Sequence, residues 1–420
     1  MKIFGREWIA SVLVVTMTLL LGTVTLELAM RFVIKPSSVM KRQLMVGLGV
    51  TDSDQNWEKD LDLGWKIKTN ATFRHTSPFN EFDHTIRTDA LGMRVPLDPA
   101  AEKQHVARNL LFVGDSQTAS FEVDYQQTFQ HLVEQTLGPS TRSLNAGVRG
   151  YSTEQTLKRM RALLAHKELG VTDVIYLFSG NDPFENMSLH FPKRLMSKPG
   201  AYLDSQGEVR YRTLDHEVGV FDSEAVFVAQ GGEIAVLPHV GRRKPISWIK
   251  DTTKRTLLND GNWLERSYVV GLVKLVWGMF TTPDSPEGVR KRFPYINVNY
   301  VPDDSGGYTP GFIGVTWEPG SYPVRLLEEI VRQMKVEADR QAVRLWIVVP
   351  LWSTSAEEEF FIRIAARYNI HLIDSVREAP KVVGRCGGTL VFKTDGHYTA
   401  CAHAAQAELI AAALKGVSVE

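Results

Sequence analysis

The sequence predicts an α/β fold built on a parallel sheet covered on both faces, and three observations carry that reading. Apolar runs of strand length stop abruptly at small polar turns, at Leu110–Gly114 before Asp115 and at Val174–Phe178 before Ser179. Continuous apolar runs of this kind belong to strands buried on both faces, as parallel strands are. Helical patterns alternate with such runs: Tyr322–Arg340 precedes the strand Arg344–Pro350, and the helical Glu357–Arg367 precedes the strand-like Ile370–Asp374. That alternation places helices on both sides of a parallel sheet. Residues able to do chemistry also stand at the ends of the strands, where open α/β sheets collect their ligand and catalytic groups.

Taken in order, the chain opens with Trp8–Leu26, which carries no charge and has about the 20-residue length that crosses a bilayer. Glu27 and Arg31 follow it rather than a small-residue cleavage site, so residues 8–26 are predicted to be an uncleaved transmembrane signal-anchor, with a removed signal peptide as the alternative. Lys2 and Arg6 precede the span, and Arg31, Lys35, Lys41 and Arg42 follow it. Charge balance alone favours a cytoplasmic C-terminal domain, whereas a long domain behind a first span commonly translocates regardless of charge. Export is the reading adopted, which places the domain periplasmic or otherwise extracytoplasmic on a single-pass inner-membrane anchor.

Residues 36–105 read as a juxtamembrane linker and N-terminal extension, with short strands and turns at Asp62–Trp65 and Thr85–Arg94. The principal domain is predicted over 106–414, interrupted by an insertion at about 183–322. That insertion opens with a hairpin pattern, Ala201–Arg212, whose polar turn separates two alternating runs. It continues through a helix-like stretch, Ile246–Phe280, bearing Trp248, Trp263 and Trp277 among charges. Such a stretch is a packed cap or core face, or else a surface for substrate or membrane.

Four segments carry the chemistry. Gly114-Asp115-Ser116 ends the first strand and presents a hydroxyl. Asn145–Gly150 runs into a glycine-rich loop, Ser179–Asp182 ends another strand, and Asp395-Gly396-His397 sets a carboxylate and an imidazole on one loop before the helical Ala402–Leu414. A serine hydroxyl is a poor nucleophile near neutral pH and needs a neutral imidazole to take its proton. His397 is the candidate, and Asp395 is placed to orient its ring and stabilise the imidazolium. A tetrahedral intermediate needs donors aimed at its oxyanion, which a glycine amide and an uncharged Asn side chain supply. Gly150 and Asn181 also have plainer readings, as a turn glycine and a loop cap. Asp115 is expected to brace the turn through backbone hydrogen bonds.

With these four segments in this order, the chain resembles the SGNH/GDSL hydrolases, in particular the membrane-anchored bacterial envelope type. The resemblance implies a flavodoxin-like three-layer α/β/α hydrolase fold with a parallel sheet over 106–414. It implies catalytic Ser116, Asp395 and His397, with an oxyanion hole formed by the Ser116 and Gly150 amides and the Asn181 side chain. The first segment reads Asp-Ser-Gln rather than Asp-Ser-Leu, a change at an expected packing position, Gln117. Only Gly396 separates Asp395 from His397, where many members have a longer spacing. The segment Asp395–Thr399 followed by His403 is similar to a variant of the envelope-anchored members, with Ala402 in place of the usual glycine.

Composition narrows the function classes. The 420 residues are 44% hydrophobic and 23% charged with a net charge of +0, an ordinary globular balance with no electrostatic footprint for nucleic acid. His105, His131, His166 and His190 show no ligand-like clustering with Cys or Glu, so no metal and no cofactor are assigned. Cys386 and Cys401 bracket the Asp395/His397 loop, as a disulfide in an oxidising compartment or as free buried thiols. The function expected is a serine ester hydrolase removing O-acyl or O-acetyl groups from an envelope glycan or lipid through an acyl-enzyme. An O-acetyltransferase of an exported polysaccharide, working with unidentified biosynthetic partners, is the enzymatic alternative. A non-catalytic assembly or glycan-binding factor is the other class.

Overall fold

A computed structural model of the chain describes Thr18 and residues 56–77, 80–99, 106–190, 197–213, 225–237, 295–302 and 308–416. The predicted span 8–26, apart from Thr18, and the helix-like stretch 246–280 lie outside the described residues. Among the described residues no helix is long and apolar enough to cross a membrane. The chain divides into two compact units, and the one comprising 52–238, 284–301 and 309–420 carries every candidate site residue.

From residue 56 the described chain forms a hairpin, β1 (Trp57–Asp60) and β2 (Gly64–Ile67), followed by β3 (Thr72–Thr76), β4 (Asp83–Thr88) and β5 (Arg94–Val95). The alternating core then starts: β6 (Arg108–Gly114), α1 (Ser116–Ala119), α2 (Phe129–Leu137), β7 (Thr141–Asn145), α3 (Thr153–Leu164), β8 (Val171–Leu177) and α4 (Asp182–Met187). Described strands of the insertion are β9 (Ser188–His190), β10 (Gly200–Leu203), β11 (Val209–Arg212), β12 (Ala225–Val228), β13 (Ile234–Leu237), β14 (Ile296–Pro302) and β15 (Tyr308–Val315). The core resumes with α5 (Tyr322–Arg340), β16 (Arg344–Val349), α6 (Ser355–Tyr368), β17 (His371–Asp374), α7 (Ala379–Arg385) and α8 (Ala400–Lys415).

One eight-stranded sheet organises this unit, in the order β17-β16-β8-β6-β7-β5-β4-β3. β7, β6, β8, β16 and β17 are mutually parallel. Numbered along the chain, these five strands have the order 2-1-3-4-5, which is the flavodoxin-like winding, and its switch point falls between β6 and β8. Alternate residues of β6 go to opposite faces, and all seven are buried. Leu111 and Val113 join a cluster with α3, α5 and α6, while Leu110 and Phe112 join one with α2 and α8. Helices on both faces complete three layers.

The segment read as an N-terminal extension contributes to the same sheet. β3, β4 and β5 pair antiparallel in turn, and β5 meets β7 at Arg94 and Asn145. The hairpin expected at Ala201–Arg212 is present as β10 and β11, joined through residues 204–208. Helix starts lie slightly ahead of the apolar pattern because of their caps. Thr354 and Glu357 form a reciprocal capping box on α6, and Thr399 accepts the Ala402 N–H at the start of α8.

Cys386 and Cys401 form a disulfide between the end of α7 and the first turn of α8, with Cα atoms 5.7 Å apart. The bond closes a segment 15 residues long in sequence separation, a loop for which chain entropy predicts about 3 kcal/mol of stabilisation. Asp395 and His397 lie inside that loop.

Candidate active site

Gly114 ends β6, and Ser116 opens the single turn of α1. The Asp115 carboxylate, 5% exposed, accepts the Gln117 N–H at 2.8 Å and so braces the turn, as expected from the sequence. Ser116 itself is half-buried. Beside it runs the loop after β7: the Ala146 N–H donates to the Phe112 carbonyl at 2.9 Å, and the Val148 N–H to the Gly114 carbonyl at 3.1 Å. Contact this close requires Gly147, where a Cβ would sit 2.3 Å from the Ala119 nitrogen and 2.5 Å from the Thr118 carbonyl carbon. The first glycine of the loop therefore serves approach to the Ser116 turn. Gly150, at φ +76°, bends the loop toward α3.

Asn181 follows β8, directly across the switch point. Its side-chain oxygen accepts from Ser179 Oγ at 2.6 Å, and Nδ2 donates to Glu185 Oε1 at 3.2 Å. A primary amide has two N–H groups, so these bonds orient Asn181 without exhausting its donors. Beneath it Asp182 is buried, with Tyr176 donating its hydroxyl at 2.6 Å. Burial, then the nearby Asp115 charge, pushes the Asp182 carboxyl well above its usual range.

Asp395 and His397 sit at the tip of a short hairpin-like loop. Its base is closed by Thr399 N–H donating to the Leu390 carbonyl at 2.9 Å and by Phe392 N–H donating to the His397 carbonyl at 3.1 Å. Buried Tyr398 anchors it, its hydroxyl accepting the Leu351 N–H at 3.0 Å. Asp395 meets the Nδ1 of His397 directly and also accepts the His397 backbone N–H at 3.1 Å. The one-residue spacing thus allows the contact expected of an orienting carboxylate.

Gln117 joins the two halves of the site. Its Nε2 donates to the Gly396 carbonyl at 3.0 Å, and its Oε1 accepts the Tyr398 N–H at 3.3 Å. The side chain expected at a packing position instead clamps the backbone on both sides of His397. It does so from the residue adjoining Ser116, which a leucine could not do.

Sequence reasoning missed a charged cluster behind His397. Glu122, 1% exposed, lies 3.5 Å from His397 Nδ1 through Oε1 and is also paired with the Arg149 guanidinium. His75 on β3 reaches the same oxygen at 3.3 Å through Nε2. Burial alone would push the Glu122 carboxyl up, but His397, Arg149 and His75 together hold it well below the usual carboxylate range. Burial lowers the His397 imidazole, yet Glu122 and Asp395 outweigh burial and Arg149, and its pKa is raised above the ordinary histidine value. Burial, reinforced by Arg149, lowers His75. The only sequence signal for Glu122 is a lone acid between Phe121 and Val123 shortly after the Ser116 turn.

Oxygen and nitrogen atoms of Glu122, Asp395 and His397 lie within 4.8 Å of one another, the spacing of a cation site. Arg149 already neutralises Glu122, and Nδ1 of His397 is engaged by Asp395, so the donor set fits an imidazolium better than a metal. His403, the second histidine of the C-terminal segment, has a packing role. It is buried, its Nδ1 accepts the Phe129 N–H at 3.3 Å, and burial lowers its pKa to about 3.

No family model matches the sequence. No curated protein matches it. Among solved structures the chain is similar to TesA, at 15% identity over 74% of this chain and 99% of that one, with a TM-score of 0.33. It is similar to a lipase/acylhydrolase from Enterococcus faecalis, at 14% identity over 74% of this chain and 96% of that one, with a TM-score of 0.34. An acetylxylan esterase from Geobacillus stearothermophilus gives 9% identity over 74% and 94% of the two chains, with a TM-score of 0.33. At such values the fold rests on the strand order itself.

Proposed function

We propose that this protein is a serine ester hydrolase of SGNH type that removes O-acyl groups from a glycan or lipid through an acyl-enzyme. The observation that carries the reading is the clamp by Gln117, which ties the turn of Ser116 to the loop where Asp395 holds His397. In this mechanism neutral His397 takes the Ser116 proton as the hydroxyl attacks the ester carbonyl, and Asp395 stabilises the resulting imidazolium. The Ser116 and Gly150 amides and the second N–H of Asn181 receive the oxyanion. His397 then returns the proton to the leaving alcohol, and water repeats the sequence on the acyl-enzyme. Because the raised pKa of His397 keeps it protonated at low pH, activity should climb as pH rises through that value.

Purified protein should release the acyl group from a small activated ester and take up a serine-directed phosphonate at Ser116. Inertness to both would reject the catalytic reading in favour of an assembly or glycan-binding factor. Gln117→Leu removes two neutral hydrogen bonds worth about 1 kcal/mol each and should lower kcat on the same ester by up to about 30-fold, with KM nearly unchanged. An unchanged kcat would mean that the clamp is incidental to the chemistry.

We further place this site outside the cytoplasmic membrane, carried by the predicted anchor at 8–26. The Cys386–Cys401 disulfide supports that placement, since such bonds persist in oxidising compartments. A reporter active only after export, fused behind Glu420, should be active. Activity of a cytoplasm-only reporter in its place would overturn the assignment and remove an envelope glycan as substrate.

A further inference from the structure

The shortened spacing of Asp395 and His397 leaves the orienting carboxylate at the loop tip, where its side chain is 23% exposed. A carboxylate facing water is screened, and its hold on a neighbouring charge is weakened accordingly. Glu122, by contrast, is 1% exposed and 3.5 Å from the same ring nitrogen. In a low-dielectric surrounding a charge at that separation acts far more strongly than one in water. The site therefore contains a second carboxylate that is better buried than the first.

We propose that Glu122 is a second positioning acid for His397, holding the ring from the protein interior and stabilising its imidazolium form, while Arg149 and His75 fix the Glu122 side chain. This rests on the reading of His397 as general base, but the contact itself requires no substrate. The two acids divide the work by location. Asp395 binds Nδ1 and the His397 backbone from within the loop. Glu122 approaches from the segment after α1 and is anchored across the fold, 27 residues from Arg149 and 47 from His75 in sequence. Arg149 opposes them, since it both secures Glu122 and places a positive charge near the imidazolium.

Among the described residues, groups on several elements bear on the charge of His397. Asp395 lies on its own loop, Glu122 after α1, Arg149 after β7, His75 on β3, Asp115 at the end of β6 and His403 on α8. His75 and His403 are both lowered, and so are neutral near pH 7. Burial raises the Asp115 carboxyl, and the Gln117 N–H engages it. Glu122 and Arg149 are therefore the informative pair, and their removal should have opposite effects.

The test follows carbethoxylation of His397 by diethyl pyrocarbonate in the full-length protein, read by peptide mass spectrometry as a function of pH. The reagent attacks neutral imidazole, so the midpoint of the rate profile reports ring protonation without any turnover. Glu122→Gln should move the midpoint down by about one pH unit or more, and Arg149→Gln should move it up. Midpoints that stay where they are, or that move in the same direction in both variants, would overturn the proposal. If Glu122→Gln does not fold, Glu122→Asp decides, since it keeps the charge but draws it back by one methylene: a lower midpoint supports the proposal, and an unchanged one rejects it. A protein inert toward esters that still shows the opposed shifts would separate the fate of this proposal from that of the hydrolase reading. In an active enzyme the acid limb of kcat/KM should follow the same midpoints.

Discussion

Ser116→Ala is expected to lower ester turnover on the order of 10⁶-fold, the effect seen when a member of an interdependent nucleophile-base unit is removed. Phosphonate labelling should disappear with it. The loss should come without a loss of stability, because the parts that hold the turn are elsewhere. Asp115 caps α1 through the Gln117 N–H, Gly147 permits the neighbouring loop to close on α1, and Gln117 reaches the Asp395/His397 loop from its own position. Turnover and labelling by phosphonate, alongside a chemical denaturation curve, check all three statements. Retained turnover would show that another group attacks the ester, and the assignment of Ser116 would fall.

The legible parts of this protein were those whose cause is local. β6 and β8 announce themselves as apolar runs because both faces of each strand are buried, and Ser116 and Asn181 stand at their ends because that is where the switch point lies. Asp395 and His397 were legible for a similar reason, being close in sequence and followed by a helix start. What could not be read depends on contacts between distant segments. Nothing near Glu122 reveals that His75 and Arg149 will converge on it. Gln117 looked like a changed packing residue because its partners, Gly396 and Tyr398, lie near the other end of the chain. The strands β3 to β5 are short and mix polar with apolar residues. Only their pairing onto β7 reveals that they extend the main sheet.

Asp173 is the sharpest case of a residue with no sequence signal and a large expected effect, this time on stability. It is fully buried on β8, at the end of the sheet away from Ser116, between the neighbouring strands β6 and β16. Arg108 donates through Nε at 3.0 Å, Arg344 through Nε at 2.7 Å and Nη2 at 3.0 Å, and the Trp346 indole N–H at 2.9 Å. Arg108 also donates to the Leu414 carbonyl at 3.0 Å, which brings the end of α8 into the same network. Removing the carboxylate would take away the counter-charge that two guanidinium groups share. Asp173→Ala should therefore cost about 3–5 kcal/mol, the range for breaking one partner out of a buried ion pair. The lower end is expected, since Arg344 is 26% exposed and keeps some hydration.

The pH dependence has a definite sign. Burial alone would push the Asp173 carboxyl up, but hydrogen bonds from Arg344, Arg108 and Trp346 hold it below its usual value. A depressed carboxyl stabilises the folded state above the unfolded pKa of about 3.9, and that contribution is lost as pH falls through the lower folded value. Wild-type unfolding free energy, measured by denaturant titration, should thus fall below about pH 4. In Asp173→Ala it should be low throughout, with that part of the acid fall missing. A cost under about 1 kcal/mol, the level of an exposed ion pair, would show that the arginines find water or other partners. The binding together of β6, β8 and β16 would then have to come from the backbone ladder and apolar packing.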